Sequence, residues 1–93
     1  MITTTSIPVV KSNVRSRKEH FGKLIIAAGL PMLCINDDAC SIWDLCNGNN
    51  SVQGIINILH DKDKDIPKDA IQIKVISFLN ELLRLKLIDV RND

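Results

Sequence analysis

Residues 32–48, Met-Leu-Cys-Ile-Asn-Asp-Asp-Ala-Cys-Ser-Ile-Trp-Asp-Leu-Cys-Asn-Gly, constrain the fold more than any other stretch. Met32 to Ile35 are four apolar residues behind Pro31, too few for a helix and right for a short strand. Asn36, Asp37 and Asp38 follow directly, and each is able to cap a helix by accepting a backbone N–H. Ala39, Ile42, Trp43 and Cys46 then recur at three- and four-residue steps, which is one face of a helix over 37–47. Gly48 suits the left-handed conformation that ends such a helix. By itself this is a strand packed on a helix in a small core, so function has to come from what surrounds it.

Upstream, residues 1–12 are dominated by threonine and serine, are interrupted by Pro8 and show no period; they read as a flexible N-terminal arm. Asn13 to Lys18 read as an edge strand whose positive charges discourage aggregation. Lys23 to Ala28, opened by Phe21-Gly22, is the clearest strand by its apolar and β-branched content. Gly29-Leu30-Pro31 turns the chain, and 32–35 return as a third, antiparallel strand, since a tight connection permits nothing else.

Downstream, Asn47-Gly48-Asn49-Asn50 is a run of turn formers. Ser51 caps a second helix over 52–60 with Val52, Ile55, Ile56 and Leu59 inward. The alternating charges of 61–65 read as a solvated loop. Pro67 suits the first turn of a third helix running to about Leu85, with Asp69 at the positive end of its dipole. Ile88-Asp89-Val90 adds a short extended tail. The third helix is more apolar than a core stripe requires. At about 100° per residue, Ile71, Val75, Phe78, Leu82 and Leu85 share a face, and Leu79, Leu83 and Ile76 lie progressively round from it. Either strands cover the extra flank, or it is a groove open to a partner.

The chain has 93 residues and 45% apolar content, enough for one core. A net charge of +1 gives no overall drive toward nucleic acid or anionic membrane. No apolar run approaches the roughly 18 residues of a spanning helix, and the N-terminus lacks signal-peptide character, so a cytoplasmic protein is expected, or else a processed piece of something larger. Cys34, Cys40 and Cys46 are an odd set at a spacing that puts Cys40 and Cys46 on different helix faces. With His20 and His60 isolated, no metal site and no cofactor is expected.

The order of elements, and Ile35-Asn36-x-x-Ala39-x-x-Ile42-Trp43-x-Leu45-Cys46-x-Gly48 within it, resembles the PqqD-like family, the RiPP recognition element of ribosomally made, modified peptides. The resemblance continues through Ser51-Val52-x-x-Ile55-Ile56-x-x-Leu59 and ends with Val75-x-x-Phe78-Leu79-x-x-Leu82 and Leu87, covering about 13–88. It implies an α+β fold, a three-stranded antiparallel sheet followed by three helices, winged helix–turn–helix-like, over 13–90. Three positions depart from the pattern: Asn47 replaces a frequent aspartate, Lys86 replaces the glycine before the final leucine, and the turn before the third strand is less acidic.

What the resemblance implies for function is a non-catalytic peptide-binding module. The leader segment of a precursor peptide adds as a strand to Met32, Leu33, Cys34 and Ile35, against a helical wall of Gln72, Ile76, Leu79 and Leu83. The partners are then the precursor peptide and a modifying enzyme, such as a radical enzyme, a cyclase or a leader peptidase, with no membrane. Strand addition takes affinity from main-chain hydrogen bonds and specificity from alternate side-chain pockets. The competing reading is a small winged helix–turn–helix DNA binder using Lys11, Arg15, Arg17, Lys18 and Lys23 on phosphates. Against it, the candidate recognition helix, Ser51 to His60, carries no arginine or lysine. An enzyme in its own right is a third reading, but no nucleophile–base pair and no phosphate loop is visible.

Overall fold

The computed structural model describes residues 2–92. The elements run β1 (Ser6–Val10), β2 (Val14–Glu19), β3 (Gly22–Ala27), β4 (Leu33–Ile35), α1 (Asp37–Trp43), α2 (Val52–Lys62), α3 (Lys68–Arg84) and β5 (Ile88–Asn92). β2, β3 and β4 form a three-stranded antiparallel sheet in that order, and β1 pairs antiparallel with β5 in a second, two-stranded sheet. The fold is α+β, with the expected sheet followed by three helices.

β3 sits at the centre of its sheet, bonded to β2 on one side and β4 on the other. Ile25 and Ala27 are buried, and their neighbours Leu24 and Ile26 take the other face. The core joins Ile25 and Ile35 to Ile42 and Trp43 of α1, Val52, Ile55 and Ile56 of α2, and the α3 stripe Ile71, Val75, Leu79 and Leu82. That stripe is centred differently from the sequence reading: Leu79 is in the middle of it, while Phe78 and Leu85 are only half-buried.

Residues 6–10, expected within a loose arm, are strand β1. Pro8 stands opposite Val90, and its carbonyl accepts from the Gly48 N–H at 3.1 Å. Proline is tolerated there because a two-stranded ribbon does not need its missing N–H at every rung. Ile2 and Ser6 are buried with it.

The same strand explains why α1 ends at Trp43 rather than near residue 47. The Cys46 carbonyl accepts from the Val10 N–H at 3.0 Å, and Asn47 bridges to Val9, so 45–48 are drawn onto β1 instead of continuing the helix. Gly48 does take a left-handed φ of +81°, but as part of that connection.

The caps follow the sequence. Asn36 Oδ1 accepts from the Ala39 N–H at 2.9 Å, and Ser51 Oγ from the Gly54 N–H at 3.1 Å. α2 runs two residues past the expected His60, to Lys62. α3 closes in a Schellman arrangement. The Leu87 N–H reaches the Leu82 carbonyl, the Lys86 N–H reaches the Leu83 carbonyl, each at 3.0 Å, and Lys86 itself lies at φ +62°. The lysine that replaces the family's glycine therefore occupies a backbone conformation that glycine adopts without strain.

Candidate peptide-binding site

β4 is the outer strand of its sheet: one side is bonded to β3, and among the described residues no further strand pairs with it. Pro31 and the turn before it deliver the strand, and the Asn36 cap ends it, so only three residues are extended. Leu33 and Ile35 face the core, Ile35 buried and Leu33 half-buried; Cys34 and Met32 are exposed. Gly22 fixes this strand to the sheet. Its φ is +141°, and a Cβ there would lie 2.0 Å from the Ile35 carbonyl oxygen, so the β4–α1 junction rests directly on a glycine backbone. Lys23 reaches from β3 to Asp44 at the end of α1, Nζ to Oδ1 2.6 Å. A cation at a helix C-terminus also suits the dipole.

Beyond the end of β4, a cleft of about 660 Å³ opens between α1, the α2–α3 connection and the first half of α3. Its apolar lining is Ala39 and Ile42 on one side, Leu59 and Ile66 at the end, and Ile71, Val75 and Phe78 on α3. Asp38, Lys62, Asp63 and Lys74 stand around it, so both charges are available at its margin. The His60 ring braces the connection, Nδ1 lying 3.0 Å from the Ile66 carbonyl, so that nitrogen carries the proton and donates.

Of the four strand residues named from sequence, Leu33, Cys34 and Ile35 form the open edge strand while Met32 stands just before it, and the four helical ones do not line this cleft. Leu79 is fully buried in the core; Gln72, Ile76 and Leu83 are half-buried. At about 100° per residue, Ile76 and Phe78 point some 200° apart round α3, so the cleft opens on the opposite flank from Ile76. Sequence reasoning did not assemble Ile42, Leu59, Ile66 and Phe78. Ile66 carried the one available signal, an isolated apolar residue beside an otherwise charged loop.

Burial by its surroundings, with Asp44 adding to it, pushes the Cys46 thiol up to about 12. Its Sγ donates to the Ile42 carbonyl at 3.3 Å. Burial also raises Cys40, with Lys23 pulling the other way and Asp44 and Asp37 adding to the rise. Both thiols stay protonated at neutral pH and serve as packing groups rather than nucleophiles. Among the described residues there is no group of three or more His, Cys, Asp or Glu placed to hold a metal, and no helix long and apolar enough to cross a membrane.

Compared with known families, residues 32–88 match the one described as Coenzyme PQQ synthesis protein D (PqqD). The chain belongs to the PqqD family. The match spans more than half the chain and takes in β4, α1, α2, α3 and the first residue of β5. It begins at Met32, so the β2–β3 hairpin, inside the resemblance drawn from sequence, lies outside it. PqqD-family proteins are non-catalytic recognition proteins of peptide natural product biosynthesis that bind a precursor peptide and work with a modifying enzyme. No curated protein and no solved structure matches the chain.

Proposed function

We propose that this protein captures the leader segment of a ribosomally synthesised precursor peptide by strand addition to β4 and presents it to a modifying enzyme. The observation that carries the reading is an unpaired strand edge, Leu33–Ile35, ending beside an apolar cleft, in a chain of the PqqD family. A peptide laid along β4 gains main-chain hydrogen bonds whatever its sequence; its side chains at the Asn36 end reach the cleft and supply selectivity. The docking strand is Leu33, Cys34 and Ile35 with Met32 leading into it, and the helical wall is the Ile71, Val75 and Phe78 side of α3 rather than the Gln72, Ile76, Leu79 and Leu83 side. Tethering raises the precursor's effective concentration at the enzyme, which requires no chemistry from this chain. Its place of work in this reading is the cytoplasm.

The test is calorimetric titration with the precursor peptide encoded beside this protein, whole and with its leader removed. The whole peptide should bind, the leaderless one should not, and EDTA should change neither result. Binding of the leaderless core alone, or turnover of the peptide by this chain, would refute the proposal. The DNA-binding reading predicts instead a salt-sensitive affinity for generic duplex. It has little support in α2, whose exposed positions Gln53 and Asn57 bond each other and whose only lysine is the last residue, Lys62.

A further inference from the structure

The face of the β2–β3–β4 sheet turned away from the helices carries apolar residues. Strand alternation puts Leu24 and Ile26 on it, opposite to the buried Ile25 and Ala27. The register sets Arg17 across from Leu24 and Leu24 across from Cys34; one rung along, Arg15 is across from Ile26. Met32, one residue before β4, is 65% exposed, and Ile26 is 37% exposed. α1 packs on the sheet's other side. What remains is an apolar strip beside a basic row, since β2 places Arg15 and Arg17 on this face against the single carboxylate of Glu19, while Lys18 lies on the other face with Val14 and Ser16. Glu19 pairs with Arg17 at 2.8 Å, and Arg15 donates to the Ser12 carbonyl at 2.8 Å, which holds both guanidinium groups on the surface.

We propose that this face docks the modifying enzyme through an apolar surface with an acidic rim, and that the bound leader forms part of the same docking surface. The inference rests on leader addition at β4. Phosphate would reward the arginines but not Leu24, Ile26 and Met32, so a protein fits better than a nucleic acid. Arginine and methionine beside aliphatic residues are also the composition of interface cores. The charge sign selects an acidic partner and speeds encounter with it. The added consequence comes from topology. A strand bonded to β4 continues the row Arg17–Leu24–Cys34 by one more residue, so every second leader side chain lies on the outer face beside Cys34. The enzyme then contacts module and leader together, and the two binding events are coupled in both directions.

The experiment uses the full chain, the leader peptide and the purified enzyme that modifies the corresponding precursor. Affinity for the enzyme is measured with and without saturating leader, for wild type, for Arg15→Glu/Arg17→Glu and for Ile26→Asn. Wild type should bind the enzyme at least tenfold more tightly with leader present. Both variants should bind leader within twofold of wild type and lose at least tenfold toward the enzyme, the arginine variant in a salt-dependent way. Variants that bind leader and hold the enzyme as tightly as wild type overturn the docking surface alone. An arginine effect seen only with duplex DNA, or only in self-association of this chain, overturns it in favour of those partners. A wild-type chain that binds no leader overturns the proposed function, and this inference with it.

Discussion

Replacing Lys86 by glycine should stabilise the protein. Lys86 is held at φ +62° by the two hydrogen bonds that close α3. A side chain with a Cβ loses about 1–2 kcal/mol in the left-handed region. Glycine avoids that loss but gives back about 0.5–1 kcal/mol through its greater freedom in the unfolded chain. The net gain is about 0.5–1 kcal/mol, which for a domain of this size raises the melting temperature by roughly 2–8 °C. Lys86 is exposed and makes no ion pair among the described residues, so little contact is lost with its side chain. Urea unfolding followed by circular dichroism measures the change, with an unaltered m-value showing that native and unfolded states remain comparable. Lys86→Ala is the control: it removes the charge and keeps the Cβ, and should gain nothing. If glycine destabilises, or if alanine stabilises equally, the backbone-strain argument is wrong.

Three further outcomes are expected. Phe78→Ala should remain folded and weaken leader binding about thirtyfold, roughly 2 kcal/mol; Ile76→Asp, on the other flank of α3, should lower stability in a thermal melt without that loss of affinity, and the reverse pattern would return the binding wall to the Ile76 side. Cys46 keeps its proton up to about pH 12 when folded, whereas an ordinary thiol releases it near 9.0; its contribution is therefore complete below pH 9 and falls by about 1.4 kcal/mol per pH unit above it. The stability difference between wild type and Cys46→Ala, followed by denaturant melts from pH 8 to 10.5, should shrink over that range, and a pH-independent difference would place the thiol in water. Gly22→Ala should cost at least about 2 kcal/mol in the same assay, because its Cβ meets backbone rather than a movable side chain; a neutral substitution would mean that the β4–α1 junction does not rest on Gly22.

Local chemistry was readable in the chain where a single residue decides the outcome. Asn36 and Ser51 cap the helices they precede, and the apolar, β-branched content of Lys23–Ala28 marks a strand. β1 was not readable because its support is remote: Pro8 and the threonines before it argue against a strand, and only pairing with Ile88–Asn92, some eighty residues on, overrides them. The early end of α1 was hidden for the same reason, since the groups that take over the backbone of 46–48 belong to that unforeseen strand. In the site, the edge strand followed from order and length. The side of α3 that lines the cleft did not, because an apolar arc as wide as that of α3 permits several rotations about its axis. The packing of α1 and Ile66 against Ile71, Val75 and Phe78 selects among those rotations.

Amide hydrogen exchange resolved by residue reads most directly where the leader lies. With the leader peptide bound, new protection should concentrate at Leu33–Ile35 and at the α1 and α3 residues around the cleft, while β2 and the first half of α2, Val52–Asn57, exchange as in the free protein. A leader that binds tightly and leaves Leu33–Ile35 unprotected, with the change confined to β2 or α2, would contradict strand addition at β4.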